Sequence, residues 1–245
     1  MEGRRIMTLN GQRTLVCGGT SGIGAATARL FAGQGADAVV TGRDAERLAE
    51  AAADGLTARR LDAASAEEVA AFFAEDTVYD HLVLALSGGA GAGPLATLDL
   101  ADLRAGFEAK FWLHLRLVQA ALPRLAAGGS VTFVTASSAR AALPGTAGLA
   151  AINGALEAMV PPLAAELAPL RVNAVSPGVI ETPWWDAMPA EQRAAMFAEH
   201  AAALPVGRVG RPEDVAQAIL LTATNGFITG NVVECNGGLT LPTGR

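Results

Sequence analysis

A glycine run, Gly18-Gly19-Thr20-Ser21-Gly22-Ile23-Gly24, follows an apolar stretch and precedes an amphipathic one, and no other feature limits the fold so strongly. Residues 13–18 read as a strand. Ile23, Ala26, Leu30 and Phe31 then share one face of a helix that Gly35 ends. In this strand–turn–helix setting each glycine has a task. Gly18 permits the tight turn, Gly22 lets the backbone approach a diphosphate, and Gly24 lets the helix pack closely on the strand. The helix N-terminus offers its free N–H groups to an anion.

The same alternation continues along the chain. Residues 38–41, 56–61, 81–86, 130–135, 171–176 and 231–234 read as strands. Helical patterns cover 45–53, 66–74, about 101–125, and a segment beginning near Gly148. Strands alternating with helices imply a parallel sheet covered on both faces, and right-handed crossovers wind it doubly. The expected fold is α/β: a Rossmann-type, doubly wound, seven-stranded parallel sheet in one dinucleotide-binding domain over 1–245. The segment 183–204 interrupts the rhythm with Trp184, Trp185, Met188, Met196 and Phe197. It reads either as a substrate lid or as a helical excursion with its own small core.

Composition removes several function classes. A net charge of −6 and a pI near 5.1 argue against a nucleic-acid or anionic-membrane surface. Cys17 and Cys235 lie far apart in apolar runs, so they read as reduced thiols. No cluster has metal-ligand spacing. Glu2, Arg4 and Arg5 open the chain without a leader-like apolar stretch. No window reads as apolar and uncharged over the ~20 residues of a membrane span. A cytoplasmic protein is expected.

The spacing G-x-x-x-G-x-G resembles that of the short-chain dehydrogenase/reductases, and the likeness runs along nearly the whole chain. Asp62 resembles the family's adenine-contacting aspartate. Residues 171–178, Arg-Val-Asn-Ala-Val-Ser-Pro-Gly, match its sixth-strand motif, and 210–216, Gly230 and Gly237-Gly238 match its last third. The resemblance implies a cofactor site of Gly18, Thr20, Ser21, Gly22, Ile23, Gly24, Asp62 and Ala63. Pro177, Gly178 and Ile180 would lie by the nicotinamide carboxamide. It also implies a homo-oligomer, a dimer or homotetramer, acting on a small molecule. The second strand ends Thr41-Gly42-Arg43, where an NAD site would want a carboxylate for the ribose 2′-hydroxyl. Arg43 suits a 2′-phosphate instead, so NADP(H) is favoured over NAD(H). The alternative is a solvated arginine that starts a helix.

The catalytic end departs from the family pattern of asparagine, serine, tyrosine and lysine. Leu149 stands at the tyrosine position, Asn153 at the lysine, Ala136 at the serine and Lys110 at the asparagine. The fourth-strand motif Asn-Asn-Ala-Gly is replaced by Leu84-Ala85-Leu86-Ser87. The one tyrosine, Tyr79, falls at the N-terminal edge of the sheet, a strand's length of ~20 Å from the expected chemistry. Lys110 and Asn153 have exchanged places. They read either as a cofactor-facing pair, with Lys110 polarising a carbonyl or donating a proton, or as a surface lysine and an exposed asparagine. Ser137 either takes the serine's place or caps a turn with Ser138. His114, one turn beyond Lys110, could share its face but reads as structural, His200 falls in the 183–204 segment and reads as solvated, and His81 begins the fourth strand at the wrong edge. Pro161-Pro162 predict a kink or a new start in the helix that begins near Gly148. The expectation is an NADP(H)-dependent oxidoreductase of a small or medium carbonyl or alcohol, with Lys110, Ser137 and Asn153 at its site. The alternatives are an inactive NADP(H)-binding sensor or assembly subunit, or an isomerase or lyase on the same fold.

Overall fold

The β-branched and leucine-rich runs of this sequence form strands that are buried on both faces, as central parallel strands must be. The computed structural model describes residues 8–241, so Glu2, Arg4 and Arg5 lie outside the described residues. The strands are β1 (Arg13–Cys17), β2 (Asp37–Gly42), β3 (Thr57–Arg60), β4 (Tyr79–Leu84), β5 (Leu125–Val134), β6 (Arg171–Pro177) and β7 (Val232–Cys235). They pair in parallel in the order β3-β2-β1-β4-β5-β6-β7. The direction of winding reverses between β1 and β4, which opens a crevice at their carboxyl ends.

Helices cover both faces. Helices α1 (Gly22–Gly33), α2 (Ala45–Ala53) and α8 (Pro212–Thr224) belong to the side where Phe31, Val40, Val83, Val175 and Ile219 form a core. On the opposite side lie α3 (Ala66–Ala74), α5 (Leu113–Ala121) and α6 (Ala147–Glu166), around Phe72, Leu84, Leu117, Phe133 and Leu156. Asp44 and Ser65 cap α2 and α3 by accepting from the N–H groups of Arg47 and Glu68.

Four local readings of the sequence need correction. The helix expected over 101–125 is interrupted. It runs as α4 (Leu100–Phe107), a π-helical turn (Glu108–Trp112), α5, and a 3-10 turn (Leu122–Arg124). The following strand starts earlier than expected, because Leu125 pairs with Tyr79 across a register shift in β4. The helix α6 continues through Pro161 and Pro162 with no new start. Both proline rings are exposed, so neither crowds the core. In length and mean hydropathy (1.2), α6 also suffices to cross a membrane, contrary to the expectation that no segment would. Here Leu156 and Val160 are buried in the core beside the sheet, and Ile152 is buried near Gly91 and Gly106. The segment after β6 forms a 3-10 turn (Pro183–Trp185) and α7 (Ala190–Ala203), a helix with no buried residue.

Candidate active site

The crevice between β1 and β4 is built from close backbone approaches. Gly18 has φ +80°, and a Cβ there would lie 2.8 Å from Ala85 O. A Cβ at Gly24 would lie 2.1 Å from Gly18 O, so only glycine lets α1 begin so close to β1. Ser21 is the N-cap of α1, but its hydroxyl makes no capping bond, and the first turn carries no acid. The N–H groups of that turn therefore face the crevice with a positive helix end behind them. A cavity of about 380 Å³ opens above, lined by Gly18, Ser21, Gly22, Ile23 and Gly24 at one end and by Pro177, Gly178 and Ile180 along its side. These donors, with no competing carboxylate, fit the diphosphate of a pyridine dinucleotide.

The other anticipated cofactor positions lie away from this cavity's wall. Thr20 packs under Gly42. Arg43 is exposed at the end of β2. Asp62 Oδ1 accepts from Ala64 N at 3.0 Å, and the Ala63 carbonyl accepts from Arg116. Arg47, which the sequence reading passed over, does line the cavity. Neither Arg43 nor Arg47 is held in an ion pair among the described residues. Their spacing, four residues apart where α2 begins, was the available signal.

At the far end of the cavity Lys110, Ser137 and Asn153 come together. Lys110 is buried, not the surface lysine of the alternative reading. Its Nζ donates to Asn153 Oδ1 at 2.7 Å and to Thr135 O at 3.4 Å. Asn153 Nδ2 donates to Leu149 O (2.9 Å) and Ser138 Oγ (3.3 Å), so the amide is fully engaged in fixing the lysine. Burial pushes the ammonium down to about 8, against the opposing pull of the Glu157 carboxylate. Ser137 is buried, and its hydroxyl has only a long contact, 3.5 Å, to Ser176 O. Leu86, Leu143 and Leu149 make the rest of this end apolar.

The π-helical turn sets the lysine's position. His114 Nδ1 lies 2.7 Å from Lys110 O, and Nε2 lies 3.3 Å from Leu84 O. Burial, then the nearby Lys110 cation, hold this imidazole near 4, so it is neutral and carries one N–H. The shorter contact takes that N–H, so His114 pins the carbonyl of the π turn. His81 is likewise neutral and buried, bonded to Ser130 and Gln12 at the opposite edge of the sheet. Tyr79 is buried at that same edge and does not line the cavity.

Trp184 and Trp185 form the outer wall. Their rings meet edge to face at 4.4 Å, Trp185 Nε1 donates to Ile180 O at 2.9 Å, and Phe197 of α7 stands against Trp185. One sequence signal was passed over entirely: Lys110 is the only lysine in the chain, all its other basic side chains, histidines aside, being arginines.

Residues 18–240 match the family described as enoyl-(acyl carrier protein) reductase. The chain is 32% identical to the short-chain dehydrogenase/reductase ATR9 of Stachybotrys chlorohalonatus, over 94% of its own length and 98% of the relative's. It is 34% identical to a cis-4-hydroxycyclohexanecarboxylate dehydrogenase of Sinomonas cyclohexanicum, covering 92% and 95%. Among solved structures, it superimposes with a TM-score of 0.82 on a small-chain dehydrogenase in complex with NADPH. That likeness has 32% identity and covers 94% of this chain and 99% of the other.

Proposed function

The chain belongs to the short-chain dehydrogenase/reductase family, and on that premise we propose that it is an NADP(H)-dependent oxidoreductase that interconverts a small or medium apolar carbonyl compound and its alcohol, with Lys110 supplying the proton. The observation that carries this reading is a single buried lysine, fixed by Asn153 at 2.7 Å, in the cavity that begins at the glycine turn. The family's usual tyrosine, serine and lysine are replaced here by Leu149, Ala136 and Asn153.

When bound, the dinucleotide would supply the hydride. The N-terminus of α1, with Gly22 and Ser21, would hold its diphosphate. Arg43 and Arg47 would hold the 2′-phosphate, near Asp62 and Ala63, and Pro177, Gly178 and Ile180 would orient the carboxamide. Lys110 Nζ would donate its proton to the substrate oxygen as the carbonyl carbon gains hydride, leaving an alcohol and a neutral amine that recovers a proton from water. Ser137, whose hydroxyl is nearly unengaged, would hold that oxygen. Leu86, Leu143 and Leu149 favour an apolar substrate, and 183–204 would close over it as a lid carrying Trp184 and Trp185. The same reading makes the protein a cytoplasmic homo-oligomer of two or four chains. The exposed apolar side chains of Leu100 and Trp112 on α4 and the π turn support a face for a second copy.

The test is turnover of NADPH with a panel of ketones, aldehydes and enones, read as loss of nicotinamide absorbance. Turnover is expected, and Lys110→Met should lower kcat/KM by at least ~100-fold. The altered catalytic positions favour one other reading, a non-catalytic NADP(H) sensor or assembly subunit. Micromolar NADPH binding with no turnover of any panel member would establish that reading instead.

A further inference from the structure

Lys110 is a buried ammonium whose two hydrogen-bond acceptors, Asn153 Oδ1 and Thr135 O, are both neutral. Neutral acceptors alone hold a buried cation poorly. One carboxylate acts on it: Glu157, one turn beyond Asn153 on α6 and so on the same face as Asn153 and Leu149. Glu157 is itself buried. Its Oε1 accepts from the Thr135 hydroxyl at 2.8 Å, and its Oε2 accepts from Arg140 Nε at 2.8 Å. Thr135 therefore joins the two groups, with its carbonyl on Lys110 and its hydroxyl on Glu157.

A simpler account would have Glu157 serve Arg140 alone. The exposures argue against it. The Arg140 side chain is 43% exposed and already meets a second carboxylate, Glu234, whereas the Glu157 side chain is 7% exposed. A half-exposed guanidinium does not need a buried carboxylate, because water and Glu234 satisfy it at lower cost. A buried ammonium does need one.

We propose that Glu157 is a positioning residue for Lys110: it keeps the ammonium charged and, through Thr135, aims it into the cavity. The role deepens the assignment of Lys110 to proton delivery and rests on it. The charged and titratable groups around Lys110 are few. Glu157 faces it from α6, and His114, neutral, stands one turn along its own helix. Arg140 lies on the far side of Glu157, with Glu234 beyond. Arg140 thus competes with Lys110 for the same carboxylate.

This competition gives opposite expectations for two variants. Glu157→Gln keeps the shape and an acceptor for Thr135 but removes the charge, so Lys110 should release its proton at lower pH. Arg140→Ala removes the competing cation, so Lys110 should hold its proton to higher pH. Because the chain has one lysine, protein grown on lysine labelled with carbon-13 at Cε gives one such signal, and its shift with pH reads Lys110 directly. The expected midpoint falls by at least ~1 pH unit in Glu157→Gln and rises in Arg140→Ala, while Glu157→Asp restores most of the fall. The alkaline limb of kcat should move with the midpoint, while KM for NADPH changes less than ~2-fold. A midpoint that stays put in the folded Glu157→Gln variant overturns the proposal. If that variant does not fold, an unchanged or lowered midpoint in Arg140→Ala overturns it equally. The titration needs no turnover, so an inactive protein would reject the oxidoreductase reading while leaving this result to stand or fall by itself.

Discussion

At the scale of single residues, the proposed chemistry turns on how an ammonium survives inside a largely apolar cavity. Burial draws Lys110 down to about 8, which leaves it mostly protonated at neutral pH yet ready to give the proton up. Carbonyl reduction should therefore be intact below that value and fall as pH rises through about 8. A pH profile of kcat that stays flat to pH 10 would contradict proton delivery by Lys110. Cofactor choice belongs to the same scale. Among the described residues Arg43 and Arg47 form no ion pair, and they stand near the carboxyl end of β2, where a 2′-phosphate would lie. Replacing both by alanine should weaken NADPH binding by at least ~10-fold and leave NADH within ~2-fold, as calorimetric titration would show. An equal loss for both nucleotides would remove the arginines from phosphate recognition.

At the scale of elements, the glycine turn and the π turn do the positioning. Gly24→Ala would drive a methyl group into Gly18 O, so α1 must move off β1. NADPH affinity should drop by ~10-fold or more, with a lowered Tm, even though alanine is the better helix former. An unchanged affinity would show that the close approach is dispensable. The glycine turn was readable because its spacing, the apolar strand before it and the helical period after it are all local. Lys110 and Asn153 were readable as two candidate site residues, although not as a contact. Glu157, Arg140 and Thr135 were not readable. Each is an ordinary polar residue in sequence, and only the packing of α6 against the turn that follows β5 brings them together, with Glu157 and Thr135 buried and Arg140 at the rim. The π turn was hidden for a related reason: Glu108–Trp112 keeps a helical pattern, and the extra residue per turn shows only in the backbone. Arg47 and the solitary status of Lys110 were both within reach of counting and spacing.

At the scale of the whole molecule, the reversal of winding between β1 and β4 brings chain-distant groups to one place. Lys110 arrives from the helix before β5, Ser137 from beyond its end, and Asn153 from the next helix. The same packing buries His81 and His114 as neutral rings near 4, well below their ordinary value. In the unfolded chain these imidazoles take up protons near pH 6.5, and in the folded protein only near 4. Stability is thus fully present above about pH 6.5 and is lost as pH falls toward 4, by up to ~3 kcal/mol per histidine. Urea unfolding at pH 7 and pH 5 should show this loss, and a His114→Gln variant should lose less over the same interval. Equal losses in both proteins would show that His114 does not set the acid limb. The measurement that reaches furthest is a titration of the lysine-labelled protein with NADPH, followed through the Lys110 signal. A saturable shift at micromolar nucleotide is expected, because the nicotinamide should settle beside that side chain. A signal unmoved by millimolar NADPH would mean that the dinucleotide does not occupy this cavity.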